Sequence, residues 1–221
     1  EKAIARHSIK RRPEWTKNRK KTERDIEWLS RKEYNPFLWK AWMLMGRSQF
    51  HQGAFEEAAS TFSYMSRLYK TQPAIYGKAR AWLAKCYIEE DWLYDAEDVI
   101  RNMQRDSIDW RAQKEWDFTM ADYYIHTAEY DKAVPYLKKS IKHEMRKVQR
   151  ARLCLLLGQV YAALGDNTAA YKAFRSVVAK NPPYQLEFNA RIAMTEVMGA
   201  TQAKKMLGSL RRMAASDKNK D

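Results

Sequence analysis

His143-Glu144 opens like the zinc-protease arrangement, in which two histidines four residues apart hold the metal and the glutamate acts as base, but position 147 is lysine. No zinc site follows. The seven glycines form no phosphate-cradling loop. Ser60-Thr61, Ser63 and Ser66 have no nearby histidine to activate a nucleophile. Cys86 and Cys154 belong to no closely spaced metal pair, and as small apolar residues of separate helices they are expected to be buried rather than bridged. The residues therefore point to no enzyme, cofactor or metal, and the informative features must lie in the elements that carry them.

Lys plus Arg number 41 against 27 Asp plus Glu, a net charge of +14. Glycine and proline together number 13 of 221 residues, too few for a turn-rich β architecture, and an apolar content of 45% excludes disorder. The longest apolar stretch, residues 153–165, is broken by Gln159 and falls short of the roughly 20 residues that span a bilayer. The chain starts at Glu1 and reads as a segment of a longer protein, with any export signal lying upstream.

The glycines repeat a spacing. Gly46 and Gly53 are seven apart, as are Gly158 and Gly165; Ala58 and Ala170 each lie twelve after the first glycine, and Phe62 and Phe174 sixteen after it. Such offsets describe a helical hairpin: the first small residue lets helix A touch its neighbour, the second ends helix A, the alanine brings helix B close, and the phenylalanine fills the gap to the next hairpin.

The pattern resembles the tetratricopeptide repeat, whose eighth, eleventh, fifteenth, twentieth, twenty-fourth and thirty-second positions favour Gly, Tyr, Gly, Ala, an aromatic residue and Pro. The copy from Ala151 supplies Gly158, Tyr161, Gly165, Ala170, Phe174 and Pro182, and that from Trp39 supplies Gly46, Gly53, Ala58 and Phe62, with Gln49 in the tyrosine's place. Copies from Gly77 (Ala84, Tyr87, Ala96, Ile100) and Lys114 (Ala121, Tyr124, Ala133, Leu137) are weaker. The resemblance implies an all-α, right-handed α-solenoid of about five hairpins. Residues 1–35 form a basic segment with a capping helix over 13–32, and residues 36–214 hold repeats near 39–76, 77–113, 114–150, 151–183 and 184–214. Residues 215–221 form a frayed tail, and the 37- to 38-residue spacing of the first four starts places about three extra residues in helix B or its loop.

A narrower resemblance rests on His7-Ser8-Ile9, Glu33-Tyr34-Asn35-Pro36-Phe37-Leu38, Ala41 to Gly46, Gln49-Phe50, Ala58 to Tyr64 and Arg67-Leu68-Tyr69. These runs are similar to the large tetratricopeptide lipoproteins of Bacteroidota associated with gliding motility and type IX secretion. The likeness implies an assembly adaptor at the periplasmic face of the outer membrane, held by a lipid anchor upstream of this segment.

In tetratricopeptide arrays the second, fifth, ninth, twelfth and thirteenth positions of helix A face a partner, one stripe of a 3.6-residue helix. Here these are Lys40, Met43, Arg47, Phe50 and His51; Lys78, Ala81, Lys85, Ile88 and Glu89; Glu115, Phe118, Asp122, Ile125 and His126; and Arg152, Leu155, Gln159, Ala162 and Ala163. The expected ligand is a protein or peptide with acidic and apolar side chains, and Phe50 and Phe118 should be open to it. Of the eight tryptophans most, for example Trp39, Trp42 and Trp82, are expected to pack within and between repeats, with Trp15, Trp92 and Trp110 set apart from that expectation. Two basic runs, residues 1–24 with ten Lys/Arg against three acids and 132–150 with seven against one, contrast with Glu89 to Asp98, which holds six acids and no base. A nucleic-acid-binding helical repeat is the alternative that the charge raises, although such repeats need polar side chains recurring as a base-reading code at fixed places in each unit, and this stripe shows no such code.

Overall fold

The computed structural model describes residues 37–198, together with residues 2, 4, 207, 208, 210–212, 214 and 215. Among them the regular elements are all helical: α1 (Leu38–His51), α2 (Phe55–Leu68), α3 (Pro73–Glu89), α4 (Leu93–Arg105), a 3-10 turn (Trp110–Ala112), α5 (Gln113–His126), α6 (Tyr130–His143), α7 (Lys147–Ala163), α8 (Asn167–Val178) and α9 (Tyr184–Glu196). The expected all-α class holds. The expected capping helix over 13–32 and the tail over 216–221 lie outside the described residues; of the fifth copy's second helix, residues 207, 208 and 210–212 are helical.

The chain divides into two units, up to Thr119 and from Met120 onward, the division falling within α5. In the first unit α3 packs on α2 and α4 and also meets α1; in the second, α7 packs on α6, α8 and α9. The residue patterns explain this layering. Helix α3 buries Ile75, Gly77, Ala79, Ala81, Leu83, Ala84, Cys86 and Ile88, which point to more than one side, because neighbours cover it on both flanks. Helix α4 buries only Ala96, Val99, Ile100 and Met103, at the i, i+3, i+4, i+7 spacing of a helix with one wet face.

The hairpin turns share one backbone feature. Gly53 and Gly165 have φ of +80° and +77°, as expected of residues that end helix A. Asp91 and Ala128, fifteenth in the second and third copies, have φ of +58° and +56°. All four turns are therefore left-handed at the same place, although only two carry the residue that takes this conformation freely. The alanines at the twentieth position, Ala58, Ala96, Ala133 and Ala170, are all 0% exposed.

The eighth and twenty-fourth positions meet within one hairpin. A Cβ on Gly46 would lie 2.6 Å from Cζ of Phe62, and one on Gly158 would lie 2.3 Å from Cε1 of Phe174. Each phenylalanine thus covers the glycine of its own hairpin, a correction to its expected place between hairpins; Phe62 reaches onward as well and stacks on Trp82, ring centroids 5.8 Å apart. In the third copy the pair is Ala121 and Leu137, which share a core cluster with Leu157 and Val160.

The extra residues of the first and third copies sit elsewhere than the expected helix B or its loop, and those of the second copy sit in that loop. Helix α2 ends at Leu68 and α3 begins at Pro73, and α7 begins at Lys147, so that α3 and α7 have 17 residues where α1 has 14. The additions form a further turn at the start of the next helix A, with Pro73 where a missing N–H costs nothing. Before α5 they form the loop and 3-10 turn around Trp110. Gln49, the departure from the family's tyrosine, accepts a hydrogen bond of 2.8 Å from Oγ1 of Thr61 and ties α1 to α2.

Candidate functional site

The stripe residues of α1 and α3 converge on one ring. The Arg47 guanidinium lies 5.2 Å from the centroid of Trp82, and Nζ of Lys85 lies 5.5 Å from Trp82 and 5.7 Å from Phe50. Phe50 meets Trp82 edge to face at 5.3 Å and Phe55 at 5.1 Å, and His51 approaches Trp82 at 6.1 Å. Trp82 lies four residues after Lys78 and three before Lys85, on the same helical face. That spacing was the signal for its inclusion; the family's partner-facing positions pass over it.

Physically this is a pair of cations held against an aromatic floor. Each cation–π contact contributes about 0.5–1 kcal/mol at an exposed site, and it also orders a long side chain before any partner arrives. Arg47 and His51 are exposed; Lys85 and Phe50 are half-buried. Phe50, expected to be open to a partner, is instead partly covered by Phe55 and Trp82, so its truncation would disturb packing.

Other stripe residues fare differently. Met43 is 9% exposed, Ile88 1% and Ala81 0%: they belong to the core, because α1 and α3 are covered on more than one side. Lys40 is exposed, with Nζ 5.4 Å from the Phe37 ring and 5.8 Å from Trp39. Lys78 and Glu115 pair with each other at 3.8 Å, so these two do not add charge to the patch. Phe118 is half-buried, with Nζ of Lys114 6.0 Å from its ring. In the second unit Asp122, Ile125 and Leu155 are half-buried, whereas His126, Arg152 and Gln159 are exposed; Nδ1 of His126 lies 3.0 Å from the Asp122 carbonyl oxygen. The structure brings together the residues of the first two copies and forms no comparable cluster from those of the fourth.

A groove of about 490 Å³ opens beside the start of α3, lined by Trp39, Thr71, Gln72, Pro73, Ala74, Ile75, Lys78 and Arg111. Arg111 is held by Asp109, which accepts from its backbone N–H at 2.9 Å, from Nε at 3.0 Å and from Nη2 at 2.8 Å. These bonds hold the Asp109 carboxyl at about 2, below the usual carboxylate range. Asp109 thereby offsets the charge of Arg111 in this groove.

Cys86 and Cys154 are buried and free. Burial pushes the Cys86 thiol up to about 12, so the thiolate that reacts is scarce at neutral pH. Among the described residues no three His, Cys, Asp or Glu side chains lie together in a way that could hold a metal, and no helix is long and apolar enough to cross a membrane.

Residues 118–184 match the tetratricopeptide repeat family model, a stretch that takes in most of the third and fourth copies. No curated protein sequence matches the chain. Among solved structures it is similar to the nearly identical TPR-like repeats assigned to a kinesin light chain of Podosopora anserina, with 14% identity over 83% of this chain and 98% of that one, and a TM-score of 0.63. A singly substituted form of those repeats gives 15% identity over 81% and 96%, with a TM-score of 0.60. The MamA protein gives 16% identity over 84% and 95%, with a TM-score of 0.56. At such identities the likeness concerns the fold, which is that of tetratricopeptide-like helical hairpins.

Proposed function

We propose that the chain is a non-enzymatic scaffold that binds a protein or peptide on the helix-A face of its first two hairpins. The observation that carries this reading is the convergence of Arg47, Lys85 and Phe50 on Trp82. Tryptophan and arginine are the side chains that most often dominate interface energy, and the two cations over an aromatic floor suit a segment that sets an acidic residue beside an apolar one. The assembly served is a bacterial cell-envelope secretion or motility machine, a reading supported by the likeness of residues 33–69 to the type IX secretion lipoproteins. A lipid anchor upstream of this segment would then place it at the periplasmic face of the outer membrane.

The test is capture from envelope extract with and without nuclease, comparing wild type with Arg47→Glu/Lys85→Glu. A specific protein retained by wild type through nuclease treatment and lost from the charge-reversed variant is the expected result. Capture that disappears with nuclease would overturn the reading in favour of nucleic-acid binding.

A further inference from the structure

Two surface patches outside the Trp82 site are built as opposites. The first lies at the turn of the second hairpin, where the acid-only run from Glu89 to Asp98 surrounds two exposed aromatic residues, Trp92 at 45% and Tyr94 at 90% exposure. Trp92 is fixed in place by stacking on Tyr87, ring centroids 5.9 Å apart. The second patch lies at the connection of α6 to α7, in a run with seven Lys/Arg and one acid over residues 132–150. That acid, Glu144, is 4% exposed and is spent on the loop itself: its carboxylate accepts from the backbone N–H and Nε of Arg146 at 2.9 and 3.3 Å, and its carbonyl oxygen accepts from Nε of Arg150 at 2.8 Å. The tied loop holds Met145 outward at 81% exposure beside Val148 at 38%, with Lys142, Arg146 and Lys147 exposed around them.

A single exposed apolar residue is ordinary on a protein surface, so the informative feature is the charge that surrounds each of these. Here a rigid loop presents an apolar tip within a ring of cations, and a turn presents aromatic side chains within a ring of carboxylates. We infer that the basic tip around Met145 docks on the acidic turn around Tyr94 of a second copy of this chain, in a head-to-tail contact. Both components match: cation against carboxylate at the rim, methionine against aromatic rings at the centre, a pairing that the polarisable thioether favours. The overall charge of +14 opposes association at long range, but charges beyond about 8–10 Å are screened at physiological salt, so the local complementarity decides. A heterologous contact of this kind does not use itself up: each copy keeps one free patch and can extend a chain. The inference does not depend on the Trp82 reading.

The test measures mass against concentration by light scattering and sedimentation at about 0.15 M salt. One variant, Lys142→Glu/Lys147→Glu, reverses the basic tip; the other, Glu89→Lys/Asp95→Lys, reverses the acidic turn. Circular dichroism identical to wild type certifies the fold of each. Wild type is expected to grow in average mass with concentration, while each variant alone stays monomeric. An equimolar mixture of the two variants should associate again, since the native tip of one meets the native turn of the other and the reversed tip and turn are once more opposite in charge. Met145→Ser or Tyr94→Ser should weaken wild-type growth several-fold.

A wild type that is monomeric throughout, or a mixture that does not associate, overturns the inference. So does self-association lost on reversing the acidic turn but not the basic tip, which would transfer the basic role to another segment such as residues 1–24. Monomeric protein that binds phosphatidylglycerol vesicles through Met145 while never self-associating would assign the tip to a lipid surface and also overturn it.

Discussion

The first and fourth hairpins solve the same geometric problem as the second and third with different side chains. In the former a glycine lies under a phenylalanine ring, Gly46 under Phe62 and Gly158 under Phe174. In the latter alanine stands at the glycine position and an aliphatic residue at the aromatic one, Ala84 with Ile100 and Ala121 with Leu137, all buried. The turns differ in parallel: glycine at 53 and 165, but Asp91 and Ala128 in the same left-handed conformation. What is held constant is backbone path and volume, and the residue types are two ways to satisfy them. A ring needs its partner to lack a Cβ; a smaller aliphatic side chain leaves room for one.

The largest effect is expected from forcing one solution onto the other. Gly158→Ala puts a Cβ within van der Waals overlap of a ring that is only 1% exposed, and such overpacking costs about 1–3 kcal/mol. Thermal melts should show Phe174→Leu raising the stability of the Gly158→Ala variant, since the pair then matches Ala121 and Leu137. If the double variant melts no higher than the single, the two hairpins are not equivalent solutions.

A smaller loss should follow from Gly165→Ala, a net of about 0.5–1 kcal/mol: a Cβ in the left-handed region costs about 1–2 kcal/mol, the smaller unfolded-state freedom of alanine offsets part of that, and nothing else obstructs the side chain. The reverse change at the third turn, Ala128→Gly, should relieve the same strain and leave a net gain of about 0.5–1 kcal/mol, because the added unfolded-state freedom of glycine offsets part of it. Chemical denaturation of the pair should give opposite signs, and equal signs would contradict the account of the turns. The smallest expected effect is none: a reducing agent should leave the melting temperature unchanged, and both cysteines should be alkylated only after unfolding, because they are free and buried. Rapid labelling of Cys86 in the native protein at neutral pH would contradict its burial.

The comparison also shows what a sequence displays. Where glycine and phenylalanine are used, type and spacing announce the hairpin. Asp91 and Ala128 give no such notice, since a left-handed turn at an ordinary residue is imposed by its flanking helices. The alanines at the twentieth position were legible, and their full burial follows from the close helix approach that selects them. The stripe was legible as a stripe, but helix-A residues are covered on more than one side, so Met43 and Ile88 went to the core while Trp82, whose family position is not among the partner-facing ones, came to the centre of the patch. The pairing of Lys78 with Glu115 joins residues 37 apart and could not be read from either helix alone.

The central claim is that a partner meets the helix-A face at Trp82. A photo-crosslinking amino acid placed at His51 lies beside that ring and leaves Arg47 and Lys85 in place; one placed at Ser60 or Arg67 lies on the exposed side of α2. Irradiation in envelope extract should give one discrete protein adduct from position 51, suppressed by Lys85→Glu, and none from 60 or 67. An adduct of the same protein from positions 60 and 67 but not from 51 would contradict the claim.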